Sequence, residues 1–229
     1  FSWYCPWGQT LPLVINNSLP HDEQRRRMLM PIFRHRLGRE HIKSRIQPVA
    51  AKLGVSLKQS DAAIDAAYDV RERFNQRITD YGKTLLAQLE ENNAQAVVLL
   101  GRPYNVFDAG VNLSLPEKLR DHYGVNVIPM DFLPYHGIKI HDIHENMFWN
   151  YGRRILQVCR FMQRHGKLHA VYFTNFKCGP DSYIKHYVRT ALGAPYLTLQ
   201  FDGHTNDAGF LTRCEAYLES KGLLRHTAQ

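Results

Sequence analysis

The sequence predicts an α/β fold, a three-layer Rossmann-like or flavodoxin-like parallel sheet of about four strands with an N-terminal helical segment. Two observations predict it. From Ala94 onward, short apolar runs alternate with helix-forming stretches. These runs are continuously apolar instead of alternating with polar residues, as strands buried on both faces by crossover helices must be.

Residues 1–20 carry Cys5 in the run Trp3-Tyr4-Cys5-Pro6-Trp7-Gly8-Gln9-Thr10-Leu11-Pro12. This reads as a cysteine-bearing turn under an apolar cover, at the end of an upstream domain. The chain starts at Phe1 without a basic-then-apolar leader, so it reads as a piece of a longer protein.

Residues 21–93 read as helical, punctuated by Pro20 and Pro48. After the polar stretch Ser56 to Asp61, the residues Ala63, Ala67, Val70, Phe74, Ile78, Tyr81, Leu85 and Leu89 recur at three- and four-residue steps. That spacing predicts one continuous amphipathic helix with a stripe facing a core.

Residues 94–229 form the α/β part, with strands expected at Ala96–Leu100, Val125–Met130, Ala170–Phe176 and Tyr196–Phe201. The expected sheet order centres on the Ala96 and Ala170 strands, with the helical segment on or beside it. Ligands of such sheets gather at the carboxyl ends of the strands, where Gly101, Asp131 and Cys178 fall.

Composition narrows the function classes. The chain has 229 residues, 44% of them hydrophobic and 22% charged, enough for a large core. No apolar run reaches the roughly 20 residues of a membrane span. Four cysteines without paired spacing suit a reducing, cytoplasmic setting and argue against a zinc knuckle or a ferredoxin-type run. The net charge of +8 is concentrated in Arg25-Arg26-Arg27, Arg34 to Arg39 and Lys43 to Arg45. With no RNP, KH or zinc-finger pattern nearby, a solvated helix face or an acidic protein partner accounts for it better than nucleic acid.

Chemistry concentrates in two stretches. The loop Gly101 to Asn112 lacks both GxGxxG and a GK[ST] ending, which disfavours nucleotide binding. Its Arg102, Tyr104, Asn105 and Asn112 suit either holding a polar ligand, or shaping a metal pocket, or a structured turn in which Asp108 and Gly110 satisfy the backbone. The second stretch, Thr174-Asn175-Phe176-Lys177-Cys178-Gly179-Pro180-Asp181-Ser182, sets a thiol between a strand and a helix N-terminus. A helix N-terminus favours a thiolate or an anionic ligand, so Cys178 is compatible with a metal-bound, a reactive or a buried structural thiol. The histidines His136, His141, His144 and His204 read as surface or core residues. A hydrolase reading would need a histidine beside Cys178, and His186 lies two turns along the same helix.

The runs CPWGQTLP, GRPYNVFDAGVN, VNVIPMDFLP, NMFWNYGRRIL, VYFTNFKCGPDSY and FDGHTNDAGFLTRCEAYLES occur in this order. Together they resemble the C-terminal region of acyl-CoA dehydratase activase-related proteins. These are similar to 2-hydroxyacyl-CoA dehydratases, (R)-2-hydroxyglutaryl-CoA dehydratase activators and double-cubane-cluster proteins. The resemblance implies an iron–sulfur protein with Cys5 and Cys178 as ligands of a [4Fe–4S] cluster. Arg102, Tyr104, Asn105, Asn112, Asn175, Gly179 and Ser182 would surround it. It also implies ATPase and further cluster-binding domains upstream or on a partner subunit, and an acyl-CoA or dehydratase component as electron acceptor. Cys159 and Cys214 fall where the pattern asks for no cysteine and read as packing residues. The competing expectation is a non-catalytic docking domain that retains the fold and binds an acidic protein.

Overall fold

The computed structural model describes residues 5–20, 22–175, 178–203 and 206–224, without the side chains of residues 24 and 25. Phe176, at the expected end of the third strand, and His204 lie outside the described residues. The chain divides into two compact units, Phe1–Arg77 and Ile78–Gln229.

The first unit is helical: α1 (Pro6–Ser18), α2 (Asp22–Arg27), a 3₁₀ turn at His35–Leu37, α3 (Gly38–Lys52) and the first part of α4 (Leu57–Glu91). The stretch after Cys5, which the sequence reads as a turn, is helix. Pro6 supplies a preset φ at N1, where its missing N–H costs nothing, and Cys5 is the N-cap. Pro48 likewise lies inside α3 and does not end it. Its lacking N–H leaves the Ser44 carbonyl without its intrahelical donor. Arg39 and Lys43 on one side of α3 reach Asp65 and Asp69 of α4 at 2.9–3.2 Å, and on the same side Ile42 and Ala50 are buried.

Helix α4 is continuous, as its periodicity predicts, but the stripe does not face a core along its length. Ala63, Ala67, Val70, Phe74 and Tyr81 are exposed, whereas Ser60 and Ile64 are buried in the first unit. Within the second unit the last turns of the helix pack on the sheet's core through Leu86 and Leu89.

The second unit contains the sheet. Its strands are β1 (Ala96–Gly101), β2 (Asn126–Pro129), β3 (Leu168–Asn175) and β4 (Leu197–Phe201). They are all parallel in the order β2-β1-β3-β4, centred on the Ala96 and Ala170 strands as expected. Between them run α5 (Pro103–Phe107), α6 (Ala109–Asn112), α7 (Leu115–Tyr123), a 3₁₀ turn at Met130–Phe132, α8 (Asn150–Gln163) and α9 (Gly179–Leu192), and α10 (Ala208–Ser220) follows β4.

The pleat sorts the core into two layers. Ala96, Val98, Leu100, Ala170 and Tyr172 pack with Ile155, Cys159 and Ile184 of α8 and α9. Val97, Leu99, Val171 and Phe173 pack on the other face with Leu115 and Leu119 of α7 and Leu218 of α10. Cys159 and Cys214 are buried in these two layers, as their helical contexts predict. Among the described residues, no helix is long and apolar enough to cross a membrane.

Candidate functional site

Strand β1 ends at Gly101 with φ at +155°, and a Cβ there would stand 2.6 Å from the Phe173 carbonyl oxygen. Glycine is therefore what lets the end of β1 lie against β3. The next residue, Arg102, is delivered to the carboxyl edge between them. At this edge β1 continues toward β2 on one side and β3 toward β4 on the other, which makes it the switch point of the sheet.

Arg102 Nε donates to Asp181 Oδ1 at 3.1 Å, and Thr174 Oγ1 donates to Asp181 Oδ2 at 2.9 Å. Asp181 is wholly buried in the first turn of α9, and the Arg102 side chain is 11% exposed. A carboxylate in a first helical turn is favoured by the helix dipole, and here it also ties the loop after β1 to the helix after β3.

Cys178 is the N-cap of α9. Its N–H donates to the Asn175 carbonyl at 3.3 Å, and its carbonyl accepts from Ser182 N–H at 2.9 Å. The thiol is half-buried, and burial first, then the Asp181 carboxylate, raises its pKa above that of a free thiol, with Arg102 pulling the other way. The folded chain thus holds this proton more tightly than the unfolded one. That contribution to stability is present below the free-thiol range and is lost as pH rises through the folded pKa.

A second, partly buried pair lies beside the first. Arg154 of α8 donates both to Asp131, just past β2, and to the Tyr135 hydroxyl. The Tyr151 ring has the Arg154 guanidinium 4.7 Å from its centroid and that of Arg102 at 5.9 Å. Burial raises the Asp131 pKa against the pull of Arg154. A seam of alternating charge, with one tyrosine between two guanidinium groups, therefore underlies the carboxyl edge.

Several polar atoms on this edge are buried without a partner: Arg102 Nη2, Asn105 Oδ1, Asn112 Oδ1, Asp131 Oδ2 and Asn175 Oδ1. Carbonyl partners fix the amide orientations of two of them. Asn105 Nδ2 donates to the Phe173 carbonyl at 3.4 Å, and Asn112 Nδ2 donates to the carbonyls of Asn105 and Val106 at 3.0 and 2.9 Å. Because a carbonyl can only accept, the side-chain oxygens are the atoms left over. The edge therefore offers one thiol, one guanidinium N–H and several amide or carboxylate oxygens to a polar group.

The structure gathers Arg102, Asn105, Asn112, Asn175, Cys178, Gly179 and Ser182 on or next to this edge. Tyr104 is on α5, about half exposed. Asp108 caps α6, accepting from Gly110 and Val111 N–H at 2.9 and 3.2 Å, so the structured-turn reading of this loop holds beside any ligand role. Cys5 belongs to the first unit, where it is half-buried. Among the described residues, no group of three or more His, Cys, Asp or Glu side chains is placed to hold a metal ion.

Sequence reading left Asp181, Thr174, Tyr151 and Arg154 without a role. Asp181 stands where an acidic residue ordinarily serves a helix start, and the other three lie in a strand and a helix whose apolar pattern conceals them. The burial pattern makes a direct prediction for thiol chemistry. In the native chain, Ellman's reagent should modify Cys5 and Cys178, the latter increasingly fast above the pH of an ordinary thiol. Cys159 and Cys214 should react only in denaturant, because both are buried and burial pushes the Cys214 thiol up to about 12.

Over residues 1–133 the sequence matches the profile of a family described as the CoA enzyme activase uncharacterised domain. No curated protein and no solved structure matches the chain.

Proposed function

The chain belongs to the CoA enzyme activase uncharacterised domain family, and on that premise we propose that it supplies Cys178 as one ligand of an iron–sulfur cluster of [4Fe–4S] type. The other ligands would come from Cys5, from upstream cluster-binding domains of the full-length polypeptide or from a partner subunit. The observation that supports this reading is the half-buried Cys178 thiol at the switch point of the sheet, set against two fully buried thiols at Cys159 and Cys214.

When bound, such a cluster supplies one-electron, low-potential redox chemistry. An ATPase domain would drive its reduction, and an acyl-CoA or dehydratase component would be the acceptor. This chain's own residues have local tasks. Helix α9 holds the backbone of Cys178, and the thiol must lose its proton before it can ligate. The Arg102 guanidinium, with Nη2 unpartnered, compensates the negative charge that appears on the sulfur. Asp181 holds that guanidinium in place.

Anaerobic reconstitution of the full-length protein with iron and sulfide, followed by iron analysis and electron paramagnetic resonance, tests the proposal. Cys178→Ser should lose the cluster signal and keep the fold. Cys159→Ser should keep its iron and melt lower, since a hydroxyl placed in that layer costs about 1–3 kcal/mol. A Cys178→Ser protein with full iron content would overturn the assignment.

A further inference from the structure

The first unit holds a groove that the Cys178 reading does not use. One wall is the non-helical segment from Met28 to Ile32, whose five residues Met28, Leu29, Met30, Pro31 and Ile32 are all apolar. The other wall is a single stripe of α3 formed by His41, Ser44, Arg45, Pro48, Val49 and Lys52. These positions follow helical spacing, so they share one face. Because Arg39, Ile42, Lys43 and Ala50 are engaged on a different side, the ion pairs to α4 leave this face open. Between the walls lies a cavity of about 410 Å³, within the roughly 300–1,000 Å³ span of small-molecule pockets.

Its electrostatics are one-sided. Arg34, Arg45 and Lys52 stand at the groove, and among the described residues no acidic one lines it. Among the described residues none of the three is engaged in an ion pair, although other basic residues of the unit are. His41 Nε2 is buried there without a partner. An apolar wall with cations beside it complements a molecule that is apolar at one end and anionic at the other.

We propose that this groove binds a single-chain anionic amphiphile, an aliphatic tail lying on Met28 to Ile32 with a carboxylate or phosphate head held by Arg45, Lys52 and Arg34. An acidic amphipathic helix shares the charge logic, but a cavity of about 410 Å³ falls in the small-molecule range, and such a helix is one outcome of the test below.

Calorimetric titration of the chain with decyl phosphate and decanoate, kept below their micellar concentrations, tests the proposal. Decyltrimethylammonium and decanol serve as the cationic and neutral controls. The anionic probes should bind at one site at least tenfold more tightly than either control, and added salt should weaken them. Arg45→Glu should lower their affinity at least tenfold. Val49→Trp should abolish binding by filling the groove while the circular dichroism spectrum is retained. Should Val49→Trp fail to fold, Arg45→Glu, at an exposed position, decides alone. Equal affinity for anionic and neutral probes, an Arg45→Glu chain that binds as well as the parent, or binding of an acidic helical peptide where decyl phosphate does not bind would each overturn the proposal. None of these outcomes bears on the iron content of Cys178 variants.

Discussion

Asp181→Asn should lower the unfolding free energy by about 3–5 kcal/mol, the usual loss when one partner of a buried ion pair is removed. The carboxylate is wholly buried and accepts from both Arg102 and Thr174, so the amide would leave a nearly buried guanidinium without its counter-charge. For a chain of this size the melting temperature should fall by roughly 10 °C or more. The double variant Arg102→Met/Asp181→Asn should recover much of the loss, because no uncompensated charge then remains. Thermal or urea unfolding of the three proteins checks this, and a single variant as stable as its parent would show that the pair contributes nothing. Thiol alkylation gives a second readout. Cys178 should titrate at lower pH in Asp181→Asn, since a carboxylate that raises its pKa is gone and the Arg102 charge remains.

The other large effect is expected at Gly82, inside α4. A Cβ added there would come within 1.8 Å of the Phe132 carbonyl oxygen, a backbone atom with no rotamer by which to withdraw. Gly82→Ala gains about 1 kcal/mol of helix propensity, yet it must push the helix away from the turn after β2. Overpacking of this kind costs about 1–3 kcal/mol and occasionally more, and the contact with a backbone atom places Gly82 at the upper end. The expected net effect is a loss of about 2 kcal/mol or more. Gly209→Ala in α10 is the control, because nothing lies within 4 Å of its Cβ position, and it should be neutral or slightly stabilising. If the two variants melt together, the close approach of α4 to Phe132 is not a constraint on the fold.

The parallel sheet was legible because β1 and β3 are buried on both faces and so carry uninterrupted runs such as Ala96-Val97-Val98-Leu99-Leu100. Helix α4 was legible as a helix but not in its contacts. Periodicity reports a face and not what covers it, and Val70 and Phe74 on that face are exposed. The residues after Cys5 were misread because proline and glycine in a short run suggest a turn, whereas Pro6 at N1 starts a helix. At the candidate site, Cys178, Arg102 and the asparagines stood out by type and by position after strands. Asp181, Tyr151 and Arg154 did not, since pairing across 79 residues for Asp181 with Arg102, and 23 for Arg154 with Asp131, is set by topology and leaves no local mark.

The sheet order also bears on how the protein behaves at high concentration. Its long apolar strands β1 and β3 lie in the interior, so the two open edges belong to β2 and β4. β2 has four residues, begins with Asn126 and ends in Pro129, which has no N–H to offer an incoming strand. β4 has five residues and turns Gln200 outward to solvent. Short, polar-marked edges are poor templates for strand addition, so self-association through the sheet is discouraged by the same arrangement that places the most amyloid-like segments where no other chain can reach them.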